Sequence, residues 1–459
     1  MYGVPGEACP AGFYALFEVG RENLRFGYRQ TPGYLPSGTA WFILRGMARS
    51  FRLVCEDHEK VLVEALLHAQ GFRFEPEPFS PWCRRLTCEP LALGASLAAR
   101  FGLIYIQDRS SMLPPLALAP RTGCAALDMC ASPGGKTSFL AQLAGRDGFV
   151  LGNEPSADRL ATLRRNLACM NMAQAATCAV KGQDMPLPEK SFGHILLDPP
   201  CSGWGTAEKN PKVLSLWKPD KTLALVALQR ELLAKAASLL APGGRLLYST
   251  CTTNRAENEE QAVWAADELG LQLLELLPFE GFTFHEPQLP GAAGTLRVDG
   301  EASRAQGFYL ALFTKPGQPP RERRKSERLE CCAPPGGALE GEGLAWENLP
   351  PGFFEMFKDE LCFLPEKGRE LLPPRRKGQR LGQIKGGVFR PWARARLLAP
   401  KSGSGGPELQ VEEPAVLTTL LTGASLEAPD GPSRRALYFR GLALGFVSVK
   451  GGRILWSDR

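Results

Sequence analysis

CAALDMCASPGGKTSFLAQLA, residues 124–144, decides the fold. It opens as a short apolar run and ends in a helical pattern, with the tight turn Ser132-Pro133-Gly134-Gly135 between them. Four more runs of the same kind follow: GFVLGNE (148–154), ATCAVK (176–181), GHILLD (193–198) and GRLLYSTC (244–251). Helical patterns fall at about 137–146, 156–170, 221–240 and 255–269. Strand–helix alternation implies parallel strands joined by right-handed crossovers, hence an open α/β sheet. GFYLALFT (307–314) is a candidate to close that sheet as a late strand, with an antiparallel direction as one option.

Composition bounds the rest. The chain has 459 residues, enough for two to four domains of roughly 100–200 residues each. A hydrophobic content of 44% is ordinary for a folded protein and excludes global disorder. No uninterrupted apolar stretch approaches the roughly 18 residues of a membrane span, so no membrane association is expected. MYGVPGEACPAGFYALF, at the start, lacks the basic opening and long apolar run of a secretory signal. Thirteen cysteines without framework spacing point to reduced thiols and a cytoplasmic protein. Four histidines make a multi-histidine metal site implausible, and no metal is expected.

Residues 1 to about 45 show no clear period, and Met47 is a possible later start. Glu56–Gln70 reads as an amphipathic helix. Cys83 and Cys88 have no second pair nearby to complete a zinc site. Residues 315–345 read as a basic Pro/Gly linker in which the adjacent Cys331 and Cys332 are incidental. Folding signals resume at about 346 and end in ALYFRG (436–441) and LGFVSVKGGRILW (444–456), with a turn at Gly451-Gly452. Lys367 to Lys401 holds eleven Lys/Arg against the single acid Glu370, a block that suits a polyanion such as nucleic acid. A solubilising linker is the plainer reading of the same block.

Ligands of an open α/β sheet bind beyond the carboxyl ends of its strands, so the residues there carry the chemistry. The first strand leads into Asp128 and the loop Cys130-Ala131-Ser132-Pro133-Gly134-Gly135-Lys136, whose glycines let backbone N–H groups approach a ligand. A phosphate-binding loop would need Gly where Cys130 stands, and Pro133 interrupts it. Glu154, at the end of the second strand, is placed to accept hydrogen bonds from a ribose. Asp184, after the third, is placed to meet an adenine amino group. Either acid alone reads equally well as a surface carboxylate. Together with the loop they describe a site for an adenosine ligand without a phosphate clamp, and S-adenosylmethionine fits.

The fourth strand ends in Asp198-Pro199-Pro200-Cys201 and the fifth in Ser249-Thr250-Cys251. If those strands are neighbours, both thiols enter one crevice. Two thiols and a carboxyl suit methylation of carbon 5 of a pyrimidine. One sulfur adds to carbon 6, the acid protonates N3, and the second thiol assists release. Such an acid would need its pKa raised by burial or by the base. Composition does not distinguish the two cysteines. Trp204 and Trp217 flank this region and are stacking candidates, with plain packing as the alternative. His194 reads as structural, and Arg159 and Asn258 as supporting residues. Lys136 is assigned to the loop or to the donor's carboxylate.

MCASPGGKT, LLDPPCSGWGT and YSTCTTNRAENE, with the lead-in IYIQDRSSMLP (104–114), resemble the signature motifs of the RNA (cytosine-5) methyltransferases of Sun or RsmB/RsmF type. The resemblance covers about 105–314 and implies a class I, Rossmann-like methyltransferase sheet. It implies a donor site formed by Cys130 to Lys136, Glu154, Asp184 and Asp198. It makes Cys251 the nucleophile and Cys201 the release-assisting thiol. In the DNA enzymes the nucleophile matches the Cys201 motif instead. The tail is similar to the PUA-like RNA-binding extension of RsmF-type bacterial enzymes, which act on 16S ribosomal RNA. Two departures bear on RNA contact: Val54 stands where the family often has Asn, and Ala207-Glu208 replaces a basic pair.

The expected organisation is therefore an RNA-contacting N-terminal region (1–103), a catalytic domain (104–314), the linker (315–345) and a PUA-like RNA-binding domain (346–459). The expected activity is S-adenosylmethionine-dependent cytosine-5 methylation of RNA, with 16S ribosomal RNA or the small subunit as partner and the protein a monomer. Two alternatives stand beside it: an RNA-binding assembly factor without catalysis, and a methyltransferase aimed at an exocyclic amine, which would need no cysteine pair.

Overall fold

The computed structural model describes residues 49–208, 210–216, 219–318, 343–428 and 430–457. The readings made for Met47, Trp217, Cys331, Cys332 and most of the linker lie outside these residues.

The first described elements form a small antiparallel sheet. β1 (Ser50–Leu53), β2 (Arg73–Glu77), β3 (Ser80–Cys88) and β4 (Ile104–Ile106) lie in the order β2-β3-β1-β4. Helix α1 (Lys60–Ala69) buries Val63, Leu66 and Leu67, the stripe set by its apolar period. Two short helices, α2 (Leu97–Arg100) and α3 (Leu113–Leu118), lead into the central sheet.

That sheet is built from β5 (Ala125–Asp128), β6 (Phe149–Asn153), β7 (Ala175–Cys178), β8 (Phe192–Leu197) and β9 (Leu240–Thr250), all parallel to their neighbours. The remaining strands are β10 (Gln272–Leu274), β11 (Phe284–His285), β12 (Leu296–Val298) and β13 (Phe308–Thr314). β13 runs antiparallel to β9, so the late strand takes the antiparallel option. The order β13-β9-β8-β5-β6-β7 places β5 at the point where the chain stops winding one way and starts winding the other. In sheets of this kind ligands bind at such a point, beyond the carboxyl ends of the strands, here β5 and β8.

Both faces of the sheet are covered, which is why its strands read as near-continuous apolar runs. Helices α4 (Gly135–Ala144) and α5 (Ala157–Met170) cover one face, where Leu140, Leu163 and Leu167 meet Ala126, Val150 and Leu196. After the short α6 (Lys212–Leu216), α7 (Pro219–Leu239) and α8 (Glu259–Leu269) cover the other. There Leu232, Leu233 and Ala236 meet Leu127, Ile195 and Tyr248. The sequence supplies the helix boundaries. Pro219 starts α7, where its missing N–H costs nothing, and Asn171 closes α5 in the left-handed conformation.

The C-terminal region is β-rich. β14 (Gly352–Phe357) and β15 (Glu360–Pro365) are followed by β16 (Arg376–Lys377), which pairs with β7 at the edge of the central sheet. β17 (Gln379–Lys385) and β18 (Val388–Pro391) complete a four-stranded sheet in the order β14-β15-β17-β18. β19 (Glu408–Val411), helix α9 (Pro414–Leu421), β20 (Leu426–Glu427), β21 (Arg434–Phe439), β22 (Leu442–Lys450) and β23 (Arg453–Leu455) build a five-stranded sheet. Its inner face shares one core with the N-terminal sheet: Leu437, Phe439 and Leu442 pack with Phe51, Leu66 and Phe101. Arg396 links the regions by donating to the carbonyls of Val54, Phe101 and Met170.

Candidate active site

The two loops that carry thiols leave adjacent parallel strands, β8 and β9, and their cysteines meet. Cys201 Sγ and Cys251 Sγ are 3.4 Å apart, with either sulfur able to donate. Both are partly buried.

Each loop is held by hydrogen bonds that fix its sulfur. Glu257 is fully buried and accepts from the Ser202 N–H at 2.9 Å, the Ser202 hydroxyl at 2.5 Å, Asn254 Nδ2 at 3.0 Å and Gln229 Nε2 at 3.0 Å. One carboxylate thus ties the Cys201 loop to the turn that follows Cys251. Ser202 Oγ and Thr252 Oγ1, 2.7 Å apart, join the loops directly. Asn258 supports the second loop, donating to the Thr252 carbonyl at 2.9 Å and accepting from Thr250 Oγ1 at 2.5 Å. The Gly205 N–H donates to the Cys251 carbonyl at 3.1 Å. A Cβ at Gly205 would lie 2.2 Å from the Gly307 carbonyl oxygen, so only glycine fits.

Asp198 sits beside the thiols. Its Oδ2 accepts from Lys136 Nζ at 2.7 Å and its Oδ1 from Ser249 Oγ at 2.9 Å. Lys136 reaches across from the start of α4, so the loop after β5 and the strand end of β8 meet in an ion pair. Burial works against the Lys136 charge, but the charge and hydrogen bond of Asp198 prevail and its pKa is raised. The carboxyl that burial does raise is Asp128, pushed up to about 6 against the pull of its Thr137 hydrogen bond at 2.7 Å. Its second oxygen is buried, and no side chain among the described residues donates to it.

The thiols differ electrostatically. Cys251 is lowered from the ordinary thiol value, first by the hydrogen bond from Cys201 and further by Lys136, against the opposing effect of burial. Cys201 is raised well above it by that same hydrogen bond, by burial and by the charges of Cys251, Asp198 and Glu257. Of the two sulfurs Cys251 is thus the more acidic, and Cys201 the one that more readily keeps its proton.

The glycine loop lies at the neighbouring strand ends. Cys130 is partly buried, and burial pushes its thiol well up. The Ala131 N–H donates to Asn153, the Ser132 hydroxyl to the Arg159 carbonyl, and Asn166 Nδ2 to the Pro133 carbonyl. Gly134 caps α4 with φ +108°, a conformation that favours glycine, and a Cβ at Gly135 would lie 2.7 Å from the Tyr105 ring. Glu154, at the end of β6, is buried and accepts from the Ser156 N–H at 2.9 Å, and Arg159 lies 3.3 Å from its other oxygen. Asp184 is exposed in the turn after β7.

Several expected residues come together and others do not. Cys201, Cys251, Asp198 and Lys136 converge, whereas Glu154 and Asp184 lie two and three strands along the sheet from β8. Trp204 is partly buried with its indole N–H unpartnered. His194 is a β8 residue whose pKa burial lowers to about 4, so it is neutral at pH 7. Sequence reasoning missed Ser249, Thr137, Gln229 and Glu257. Glu257 had a signal in Asn254-x-x-Glu257, the spacing that starts a helix.

Comparison with known proteins bears on this geometry. Residues 115–314 match the family described as 16S rRNA methyltransferase RsmB/F. Ribosomal RNA small subunit methyltransferase F of Salmonella agona (strain SL483) is 38% identical over 258 residues, covering 55% of this chain and 53% of that protein. This chain therefore spans about half the length of such curated relatives. A methyltransferase homologue from Pyrococcus horikoshii is similar in structure, with a TM-score of 0.51 and 32% identity over 59% of this chain and 88% of that one. NSun6 from Pyrococcus horikoshii, at 20% identity and a TM-score of 0.51 over 60% and 93% of the two chains, shares the fold. The motif-bearing strand ends lie inside the matched span, and over residues 115–314 the chain is a methyltransferase domain of the kind the RsmB/F family describes.

Proposed function

We propose that this protein methylates carbon 5 of a cytosine in small-subunit ribosomal RNA through a covalent Cys251–base adduct. The observation that carries the proposal is the contact of Cys201 and Cys251, 3.4 Å apart, in the same crevice as the Lys136–Asp198 pair.

The donor set suits S-adenosylmethionine. Glu154 presents a buried carboxylate where a ribose needs an acceptor, Asp184 offers a second one along the sheet, and the loop from Cys130 to Lys136 supplies backbone donors and acceptors. When bound there, S-adenosylmethionine supplies an electrophilic methyl group. Asp198 borders both this site and the thiols.

The protein's own residues then divide the work. Cys251, the more acidic of the two thiols, reacts as its thiolate, forms the sulfur–carbon bond at carbon 6 and pushes the ring's electrons toward N3 and carbon 5. Lys136 and Asp198 hold the proton that meets the charge arriving at N3. Carbon 5 becomes the nucleophile that takes the methyl group. Its proton must then leave, and the returning electrons break the bond to Cys251. Cys201, the neighbouring thiol, assists that release. The target base must be unpaired or turned out of its stack to reach the sulfur. Residues 346–459 serve as a PUA-like RNA-binding region that supplies salt-sensitive affinity.

The test is nucleoside analysis of 16S ribosomal RNA after incubation with the protein and methyl-labelled S-adenosylmethionine. Label in 5-methylcytidine that is lost in Cys251→Ala is the expected result. Label in an N-methylated nucleoside that survives Cys251→Ala would overturn the proposal in favour of exocyclic amine methylation. Stable RNA binding with no methylation would favour an assembly factor.

A further inference from the structure

On the far side of the catalytic sheet, α5 and the C-terminal strands enclose a cleft of about 570 Å³. Arg164 and Arg165 line it from α5, and Lys377, Arg380 and Arg394 line it from the C-terminal region. Against these five cations the described lining holds one carboxylate, Glu360. Glu360 is already shared between Lys377 and Arg380. Arg165 is exposed and makes no ion pair among the described residues. Arg164 is half-buried and donates to the Thr177 hydroxyl at 3.0 Å, with no carboxylate partner among the described residues, and burial lowers its pKa. Arg164 and Arg165 have no carboxylate partner among the described residues and lie beside Lys377 and Arg380, which share one acid, so an anion in the cleft would relieve their repulsion.

The walls are pinned together. Lys377 pairs with Thr177 across the β7–β16 ladder, Gln379 Nε2 donates to the Ala168 carbonyl at 3.2 Å, and Asn171 Nδ2 donates to the Arg394 carbonyl at 2.9 Å. The backbone that carries the cations is therefore fixed before any ligand arrives. A single phosphate takes two or three donors, whereas five cations spread over a helix and several strands match a chain of phosphates. β7 lies three strands from β8, or about 14 Å at the ordinary strand spacing.

We propose that this cleft seats the phosphodiester backbone of the RNA substrate at a point remote from the methylated base. The proposal rests on the reading of the chain as an RNA methyltransferase. It adds a second contact, made jointly by the catalytic domain and the C-terminal region, that is independent of base identity.

The test uses the full chain and a 16S ribosomal RNA transcript, with affinity read by filter binding across a salt series. Arg164→Gln with Arg165→Gln should lower the slope of log affinity against log salt by about two, roughly one for each cation lost. Arg165→Glu, on the exposed side chain, should weaken binding without altering the melting temperature, and Arg165→Lys should retain the wild-type slope. An unchanged slope and affinity in the double variant would overturn the proposal. Displacement of the RNA from wild type by polyglutamate as readily as by unlabelled RNA would also overturn it, marking a site for an acidic protein. Binding is read without methyl transfer. Absence of methylation by every protein would therefore count against the methyltransferase reading while the salt slopes still decide the cleft.

Discussion

The loops after β8 and β9 each present one cysteine to the same crevice, and the two sulfurs touch, yet their surroundings set them apart. Cys201 follows two prolines, faces Asp198 and Glu257, and has its thiol raised. Cys251 accepts the hydrogen bond, feels Lys136 and has its thiol lowered. The residue type is the same and the separation is a single contact, so the difference comes first from their shared hydrogen bond, with Lys136 favouring the charge on Cys251 and Glu257 opposing it on Cys201. The two thiols thereby differ in acidity, a distinction that residue type alone does not make.

Four changes would break or sharpen that contrast. The largest effect is expected for Asp198→Asn, which removes the carboxylate beside both thiols. Turnover should fall by about a thousandfold, in the range of a lost general acid, with RNA affinity retained. A drop confined to RNA affinity would remove Asp198 from the chemistry. Glu257→Ala should act next, by unpinning both loops at once. Its four donors would be left buried and unpaired, so we expect a stability loss of about 3 kcal/mol or more, read by denaturant unfolding. Unchanged unfolding would mean that the loops are held by other contacts.

Lys136→Met should narrow the difference between the thiols. Iodoacetamide should label Cys251 ahead of Cys201 in wild type, and in the variant the labelling of Cys251 should move to higher pH. Equal labelling of the two sulfurs in wild type would contradict the assignment. The smallest effect is expected at Asp128. Its folded pKa of about 6 lies above the ordinary 3.8, so its contribution is fully present below about pH 4 and is lost as pH rises through 6. Asp128→Asn should therefore melt above wild type at pH 7.5, with the gap closing toward pH 4. A gap independent of pH would place the proton elsewhere.

Much of the catalytic sheet was legible in the sequence, for a physical reason. Strands buried on both faces show as apolar runs, and their ends mark where ligands bind. Asp198, Cys201 and Cys251 were singled out in that way, and the fold brings the three side chains together. The partner of Lys136 was not, because a lysine's reach does not show its target. Burial of polar groups was also hidden. Gln229 lies within the helical stretch 221–240 and gives no outward sign that it binds Glu257. The shared core of the first and last sheets was equally invisible. An alternating strand such as β22 names its apolar face but not what covers it, and here Phe51 and Leu66 come from the other end of the described chain. β16 is only two residues long, too short for any periodic signal, yet it extends the catalytic sheet and walls the basic cleft.

The most direct test of the division between the two thiols is a denaturing gel of Cys201→Ala, and of Cys201→Ala with Cys251→Ala, after incubation with 16S ribosomal RNA and S-adenosylmethionine. The single variant should trap its adduct as a slow, nuclease-sensitive protein band, and the double variant should show none. A band that persists without Cys251 would contradict the account and assign the nucleophile to another residue.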